Sequence, residues 1–463
     1  MERRVDKTRQ WSVAKIVNEI APKSSVKFRQ NRQSMDLSGK IRTMSDMTYI
    51  PRIVDDELTR RLESARIVVL EGAKACGKTE TALQAARSVV RLDVDSGARL
   101  AAATDPALVL EGETPRLIDE WQTEPAVWNH ARQLSDDRKR PGQFILTGSA
   151  VPDDDPNRHS GAGRFAFIRM RPMCLFESSG GAGTISLAAL MNGETLRAGE
   201  MKLTVTELAD LLVRGGWPAQ QIGSVASAAQ AAKDYLTQIR HVDMNRVAGP
   251  RRDPEKVALL LASLARNVST EVTLKTLATD SSGPGETMSP NTVNGYLDAL
   301  SRVMVIEDLP AWSPHLRSKT PLRQAVKRHF VDPSLAAAAL GAGPARLSKD
   351  LEFLGLMFES LVIRDLRVLS QPLDGLVSHY RDKSGLEVDA IIQLSDGRWG
   401  AFEVKLGGEK LIDEGATALL RLADVVDTEK SGAPSVLAVV CMSGYSYVRK
   451  DGVAVVSIGS LAP

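Results

Sequence analysis

Apolar residues near the front of this chain come in short unbroken runs, each followed by a stretch in which they recur every three or four positions. "RIVVLEG" (66–72) reads as a buried strand and "KTETALQAARSVV" (78–90) as a helix. "RLIDE" (116–120) and "GQFILTGS" (142–149) are two more apolar runs ending in polar residues, and "RFAFIRMRPMCLFE" (164–177) resumes an extended pattern. Strands alternating with helices predict a parallel sheet with helices on both faces. Helical periodicity dominates from about Thr184 to Asn267, broken by "RGGWPA" (214–219). In 273–309 a short helix and a glycine-rich turn precede Ser289, a good N-cap, and a second periodic helix. With "VMVIEDLPAW" behind it, this reads as a winged helix. A long helix, "LEFLGLMFESLVIRDLRVL" (351–369), then opens a strand-rich end.

At 463 residues the chain exceeds what one hydrophobic core usually serves. The pattern divides it into a basic, polar leader (1–46), an α/β domain (47–183), a helical lid region (184–265), a winged helix (266–340) and a C-terminal α/β domain (345–463). A composition of 43% hydrophobic and 25% charged residues is that of a globular protein. The net charge of +2 makes no whole-chain case for nucleic acid, so such binding would need a local basic face. Cys76, Cys174 and Cys441 stand too far apart for a disulfide framework or a cysteine zinc cage. No apolar run approaches a membrane span, and a cytoplasmic protein is expected.

The chemistry is concentrated in "EGAKACGKTE" (71–80). Gly72, Gly77, Lys78 and Thr79 fit G-x-x-x-x-G-K-[ST], a pattern that arises by accident in roughly one or two per cent of chains this long. A strand in front and a helix behind are what a phosphate cradle needs. Backbone amides from Gly72, Ala73, Lys74, Ala75, Cys76, Gly77, Lys78, Thr79 and Glu80 would converge on an anion at the helix N-terminus, where the helix dipole favours negative charge. Lys78 would reach the β- and γ-phosphates, and the Thr79 hydroxyl would ligate Mg²⁺. Asp119 and Glu120 end the "RLIDE" run: Asp119 would hold the metal shell and Glu120 would polarise the attacking water. Thr147 and Ser149 stand at the end of another strand, where a hydroxyl could sense the γ-phosphate or orient the water.

These motifs, with "LIDEWQ", "FILTGSA" and "GAGRFAFIRMRPMCLFE", resemble AAA-type ATP-binding proteins of bacteria and archaea that carry a C-terminal domain with a restriction-endonuclease-like core. The resemblance runs from about Met47 to near the C-terminus and includes "RGGWPA". It implies ATP and Mg²⁺ as cofactors and Arg164 as the γ-phosphate arginine. Whether Arg164 acts in its own subunit, acts in a neighbour's, or only makes a structural salt bridge stays open, as does the oligomeric state.

The second chemical pattern is "GLEVDAIIQLSDGRWGAFEVKL" (385–406). Alternation along a strand puts Glu387 and Asp389 on one face of the first run, and Glu403 and Lys405 on one face of the second. A three-residue turn at Ser395-Asp396-Gly397 pairs Leu394 with Arg398, and so sets Asp389 opposite Glu403 and Glu387 opposite Lys405. Opposed carboxylates ~5 Å apart are close enough to share a divalent ion. The arrangement resembles the PD-(D/E)xK nuclease core, in which such acids bind Mg²⁺ and the lysine positions water; Glu359 matches the extra acid from a preceding helix. The plainer reading is a solvated hairpin face with a Glu387–Lys405 ion pair.

In the winged helix, Thr292, Asn294 and Tyr296 are the base or phosphate contacts to expect. Arg317, Lys319, Arg323, Lys327 and Arg328 form a local basic cluster. The same module serves equally as a grip on a protein partner. The sequence therefore predicts a multidomain α/β protein that hydrolyses ATP in concert with a nucleic-acid-directed, nuclease-like module. Its alternative is an ATP-gated DNA-binding or regulatory protein whose nuclease-like domain is inert.

Overall fold

The computed structural model describes residues 49–148, 160–247, 249–283, 288–314 and 325–463. The leader 1–46, Ser149, and the basic residues Arg317, Lys319 and Arg323 lie outside them. Tyr49–Pro463 is one compact unit.

Five strands build the first sheet: β1 (Ile67–Gly72), β2 (Ser88–Arg91), β3 (Arg116–Asp119), β4 (Phe144–Gly148) and β5 (Phe165–Met170). All pair in parallel, in the order β2-β3-β4-β1-β5. The strand bearing Asp119 is therefore separated from β1 by β4. Central β1 is apolar because helices cover both its faces: Ile67, Val68, Val69 and Leu70 are at most 1% exposed. Burial of each side chain contributes ~1.5–3 kcal/mol. One face packs with Trp128, whose ring stacks on Phe165 with centroids 4.0 Å apart. The other face joins the large core that continues into the rest of the molecule.

The second sheet has seven strands in the order Leu376–Arg381, Glu387–Gln393, Trp399–Lys405, Val436–Cys441, Ala454–Ser457, Gly444–Val448 and Ala198–Met201. Between the two sheets in sequence lie β6 (Ile185–Ser186), β7 (Ala198–Met201), β8 (Ile306–Leu309) and β9 (Lys327–Phe330). The C-terminal strands are β10 (Leu376–Arg381), β11 (Glu387–Gln393), β12 (Trp399–Lys405), β13 (Val436–Cys441), β14 (Gly444–Val448), β15 (Ala454–Ser457) and β16 (Leu461–Ala462). β6 pairs with β16 and β7 with β14. Residues that sequence patterning groups with the helical region thus supply strands to the C-terminal part. Two-residue and four-residue strands carry too little periodicity to read from sequence alone.

The helices Pro254–Arg266, Leu274–Asp280 and Pro290–Arg302 precede a two-stranded antiparallel sheet of β8 and β9. Ser289 caps the third helix by accepting from the Thr292 amide.

Ion pairs tie these parts together. Arg171, just past β5, meets Glu307 of β8, which also pairs with Arg367 of the helix Leu351–Leu369. Burial opposes ionisation of Glu307, yet the two guanidiniums hold its carboxyl well below the usual range. In "RGGWPA" the Gly216 amide donates to Asp332, whose carboxylate also accepts from Arg364. A Cβ on Gly216 would lie 2.1 Å from the Met173 carbonyl, so only glycine lets these two segments meet.

Candidate functional site

Residues 73–77 form the loop after β1, and the helix Lys78–Ala85 starts directly behind it. Two glycines are required by geometry. A Cβ on Gly72 would stand 2.2 Å from the Met170 carbonyl, and Gly77 holds φ +107°, where other residues are strained. The Lys78 side chain is buried, and its ammonium donates to the carbonyls of Gly72 and Ala73, both at 3.0 Å. The Thr79 hydroxyl donates to Asp119 Oδ1 at 2.8 Å, and Thr147 Oγ1 donates to the same oxygen at 2.5 Å. Thus β1, β3 and β4 deliver their polar ends to one point. Glu120 follows in a left-handed conformation (φ 53°) and accepts from the Gln122 amide.

A hydroxyl and a carboxylate in direct contact beside a glycine-shaped loop are a donor set that fits Mg²⁺. Lys78, Thr79, Asp119 and Thr147 are brought together, and Glu120 is next to them in the chain.

Arg164 is not brought to this point within its own chain. β5 runs parallel to β1 in the register Ile67↔Phe165 to Gly72↔Met170, which puts Arg164 at the far edge of the sheet. The Ile67 amide donates to its carbonyl. Roughly 17–20 Å of strand separates it from the loop. Its guanidinium pairs with Asp136 at 3.0 Å, beside Arg66 and Arg132.

The back of the loop is supported by residues that the sequence reading left out. Arg52 Nη1 donates to the Cys76 carbonyl at 2.9 Å while the guanidinium pairs with Glu177. Lys74 pairs with Asp243 at 2.5 Å. Asp243 ends a π-helical turn, Ile239–Asp243, a rare geometry that is frequent at functional sites. The signals in sequence are slight: one arginine before a helix, and one aspartate some 170 residues from the loop it touches.

The second cluster lies at one end of β11 and β12. Their hairpin has the register anticipated from the turn, with Ala390 opposite Phe402, Gln393 opposite Trp399 and a Leu394–Arg398 bond. Asp389 Oδ2 accepts from the Val404 amide at 2.8 Å, and Lys405 pairs with Glu403 at 2.9 Å. Glu387 does not pair with Lys405. It meets Lys327, whose ammonium lies 2.9 Å from Glu387, 3.0 Å from Glu359 and 3.6 Å from Asp389. Burial, then Asp389, pushes the Glu359 carboxyl up to about 8, and the same causes raise Glu403 well above its usual value. Burial opposes the charge on Asp389, but Lys327 and Lys405 pull it below the usual range.

The expected basic face on the three-helix segment is therefore depleted. Lys327 is buried in the acidic cluster, and Arg328 donates to the Val272 carbonyl. Tyr296 is also buried, its hydroxyl accepting from the Asp253 amide, whereas Thr292 and Asn294 are exposed. Apolar neighbours at helical spacing explain the inward turn of Tyr296, which faces the core with Val293, Leu297 and Leu300.

A family model described as an AAA domain matches residues 64–179. Two models of domains of unknown function match 205–346 (DUF8612) and 354–461 (DUF4143). The chain is 25% identical over 377 residues to the uncharacterized proteins Mb2031c of Mycobacterium bovis and Rv2008c of Mycobacterium tuberculosis, covering 80% of this chain and 77% of each relative. Among solved structures, a Walker-type ATPase of Pyrococcus abyssi overlaps 62% of this chain and 94% of its own, at 14% identity and a TM-score of 0.38. PCH-2 of C. elegans overlaps 54% and 64% at 14% identity and a TM-score of 0.19. Superpositions that slight add nothing to the geometry. The AAA match falls on the parallel sheet and the loop 72–80, and supports a P-loop ATPase fold for that region. Among the described residues no helix is long and apolar enough to cross a membrane.

Proposed function

We propose that this chain binds ATP with Mg²⁺ at the loop 72–80 and hydrolyses it. One observation carries the reading: the Thr79 hydroxyl and the Asp119 carboxylate touch at 2.8 Å beside a loop whose two glycines cannot be replaced without a clash or strain. Lys78 exchanges its carbonyl partners for phosphate oxygens, Thr79 and Asp119 hold the metal, Glu120 polarises water, and Thr147 fixes the Asp119 carboxylate. Arg164 either acts across a subunit boundary or serves only its ion pair with Asp136. Steady-state ATP turnover tests the reading: Lys78→Ala should lose at least ~100-fold, in line with removal of one transition-state donor. Undiminished turnover in that variant overturns it.

For the C-terminal part, the regulatory reading is favoured over cleavage, because Lys327 lies among the acids that a nuclease would need for its metal. The order of helices followed by a two-stranded sheet supports a winged helix that grips DNA or a protein in the cytoplasm. The helix face left to solvent carries Asn291, Thr292, Asn294 and Asp298, which favours a partner other than the phosphate backbone. Scoring one DNA for binding and for cuts, with Mg²⁺ and with Mn²⁺, separates these readings. Metal-dependent cuts that vanish in Asp389→Ala would restore the nuclease.

A further inference from the structure

Lys327 reaches the acidic cluster from outside the sheet that bears it. Its strand, β9, pairs with β8 and belongs to the segment behind the three helices. Glu387 and Asp389 stand on β11, and Glu359 stands on the helix Leu351–Leu369. Only 2% of the Lys327 side chain is exposed. Three carboxylates from two elements, neither of them β9, thus face one ammonium group within 3.6 Å.

Two further carboxylate oxygens are taken as well. Asp389 Oδ2 accepts from the Val404 amide, and Glu403 Oε2 accepts from Lys405. Positive charge gathers on the same carboxyls: Lys327 and Lys405 lie among Glu359, Glu387, Asp389 and Glu403, and the Arg381 guanidinium stands 4.0 Å from Glu387. Among the described residues no group of three or more His, Cys, Asp or Glu side chains is arranged to hold a metal ion. β9 is also seated independently of its lysine. The His379 ring bonds with the Ala325 carbonyl at 3.2 Å, and His329 meets Ser360 at 3.3 Å.

We propose that the Lys327 ammonium is the resident cation of this cluster, standing where a divalent metal would sit among Glu359, Glu387 and Asp389, and that the cluster is a clasp joining β9 to the C-terminal sheet. A divalent ion entering among these carboxylates meets the repulsion of the buried ammonium, so its binding is weak while that ammonium stays. The inference does not depend on ATP hydrolysis at the phosphate loop.

The test is Mn²⁺ titration of the full chain without nucleotide, read by the loss of the free-ion electron paramagnetic resonance signal. Wild type and Asp389→Asn should give the same curve, which means no ion at the clasp. Lys327→Met should take up one further Mn²⁺ at least tenfold more tightly than wild type, and Lys327→Met/Asp389→Asn should lose it. An ion held at Thr79 and Asp119 is told apart because it survives Asp389→Asn and disappears in Asp119→Asn. A wild-type Mn²⁺ site abolished by Asp389→Asn overturns the proposal, as does a folded Lys327→Met protein with no gain. Should Lys327→Met not fold, Lys327→Arg is expected to fold and to bind no Mn²⁺ at the clasp. Uptake by Lys327→Arg that Asp389→Asn removes counts against it.

Discussion

Two buried lysines stand at the ends of two sheets, and their partners differ in kind. Lys78 donates to neutral main-chain carbonyls of its own loop, whereas Lys327 is held by three carboxylates from other elements. A carbonyl is a modest partner for an ammonium and yields readily to a phosphate oxygen. A set of buried carboxylates does not yield, because departure of the lysine leaves unpaired negative charge away from water. Burial of the same side chain therefore has opposite meanings. At the loop it marks a group free to change partners; at the clasp it marks a fixed join.

That contrast breaks most readily on stability. Lys327→Met should lower the free energy of unfolding by ~3–5 kcal/mol, the cost of stranding one side of a buried ion set. Lys78→Met should change it by no more than ~1.5 kcal/mol, the net worth of ordinary hydrogen bonds. Denaturant melts of both variants measure the difference, and equal losses would erase the distinction. A smaller effect is expected at Lys74, which is 40% exposed and for which Asp243 would compete with an anion bound at the loop. Asp243→Asn should tighten ATP binding by up to about fivefold, in keeping with ~0.2–1 kcal/mol for a partly exposed pair; calorimetric titration reads it.

The last effect concerns pH. Burial, then Lys327, depresses His379 to about 4 from an ordinary 6.5. Between those values the unfolded chain binds the proton and the folded one resists it, so stability is present above pH 6.5 and is lost as pH falls toward 4. The melting temperature of His379→Gln should decline less than that of wild type across this window. Parallel declines would remove His379 from the cluster's electrostatics.

Much of this was legible in the residues themselves. Alternation and the Ser395-Asp396-Gly397 turn predict a hairpin register that the structure reproduces, because a three-residue loop leaves little choice of pairing. The loop 72–80 is readable because its glycines serve backbone conformations and close approaches that other residues cannot adopt. Lys327 was misread as part of a basic surface. Its charge pattern resembles that of a solvated cluster, and its true partners lie at sequence positions 359, 387 and 389. The role of Arg164 is not legible for a similar reason: a glycine-arginine pattern states nothing about which end of a parallel sheet it reaches, and the pairing with Asp136 is one of the roles left open. Long-range electrostatics leaves no local periodicity to detect.

The pairing of β6 with β16 has a consequence for how the chain is made. On the ribosome, Ile185 and Ser186 emerge well before Leu461 and Ala462 exist, so β6 stays unpaired until β16 has been made. The P-loop sheet can assemble while that edge is still solvated. A fragment beginning near residue 345 would lack both β6 and β7 and would expose unpaired strand edges, a setting that favours association with other chains over folding.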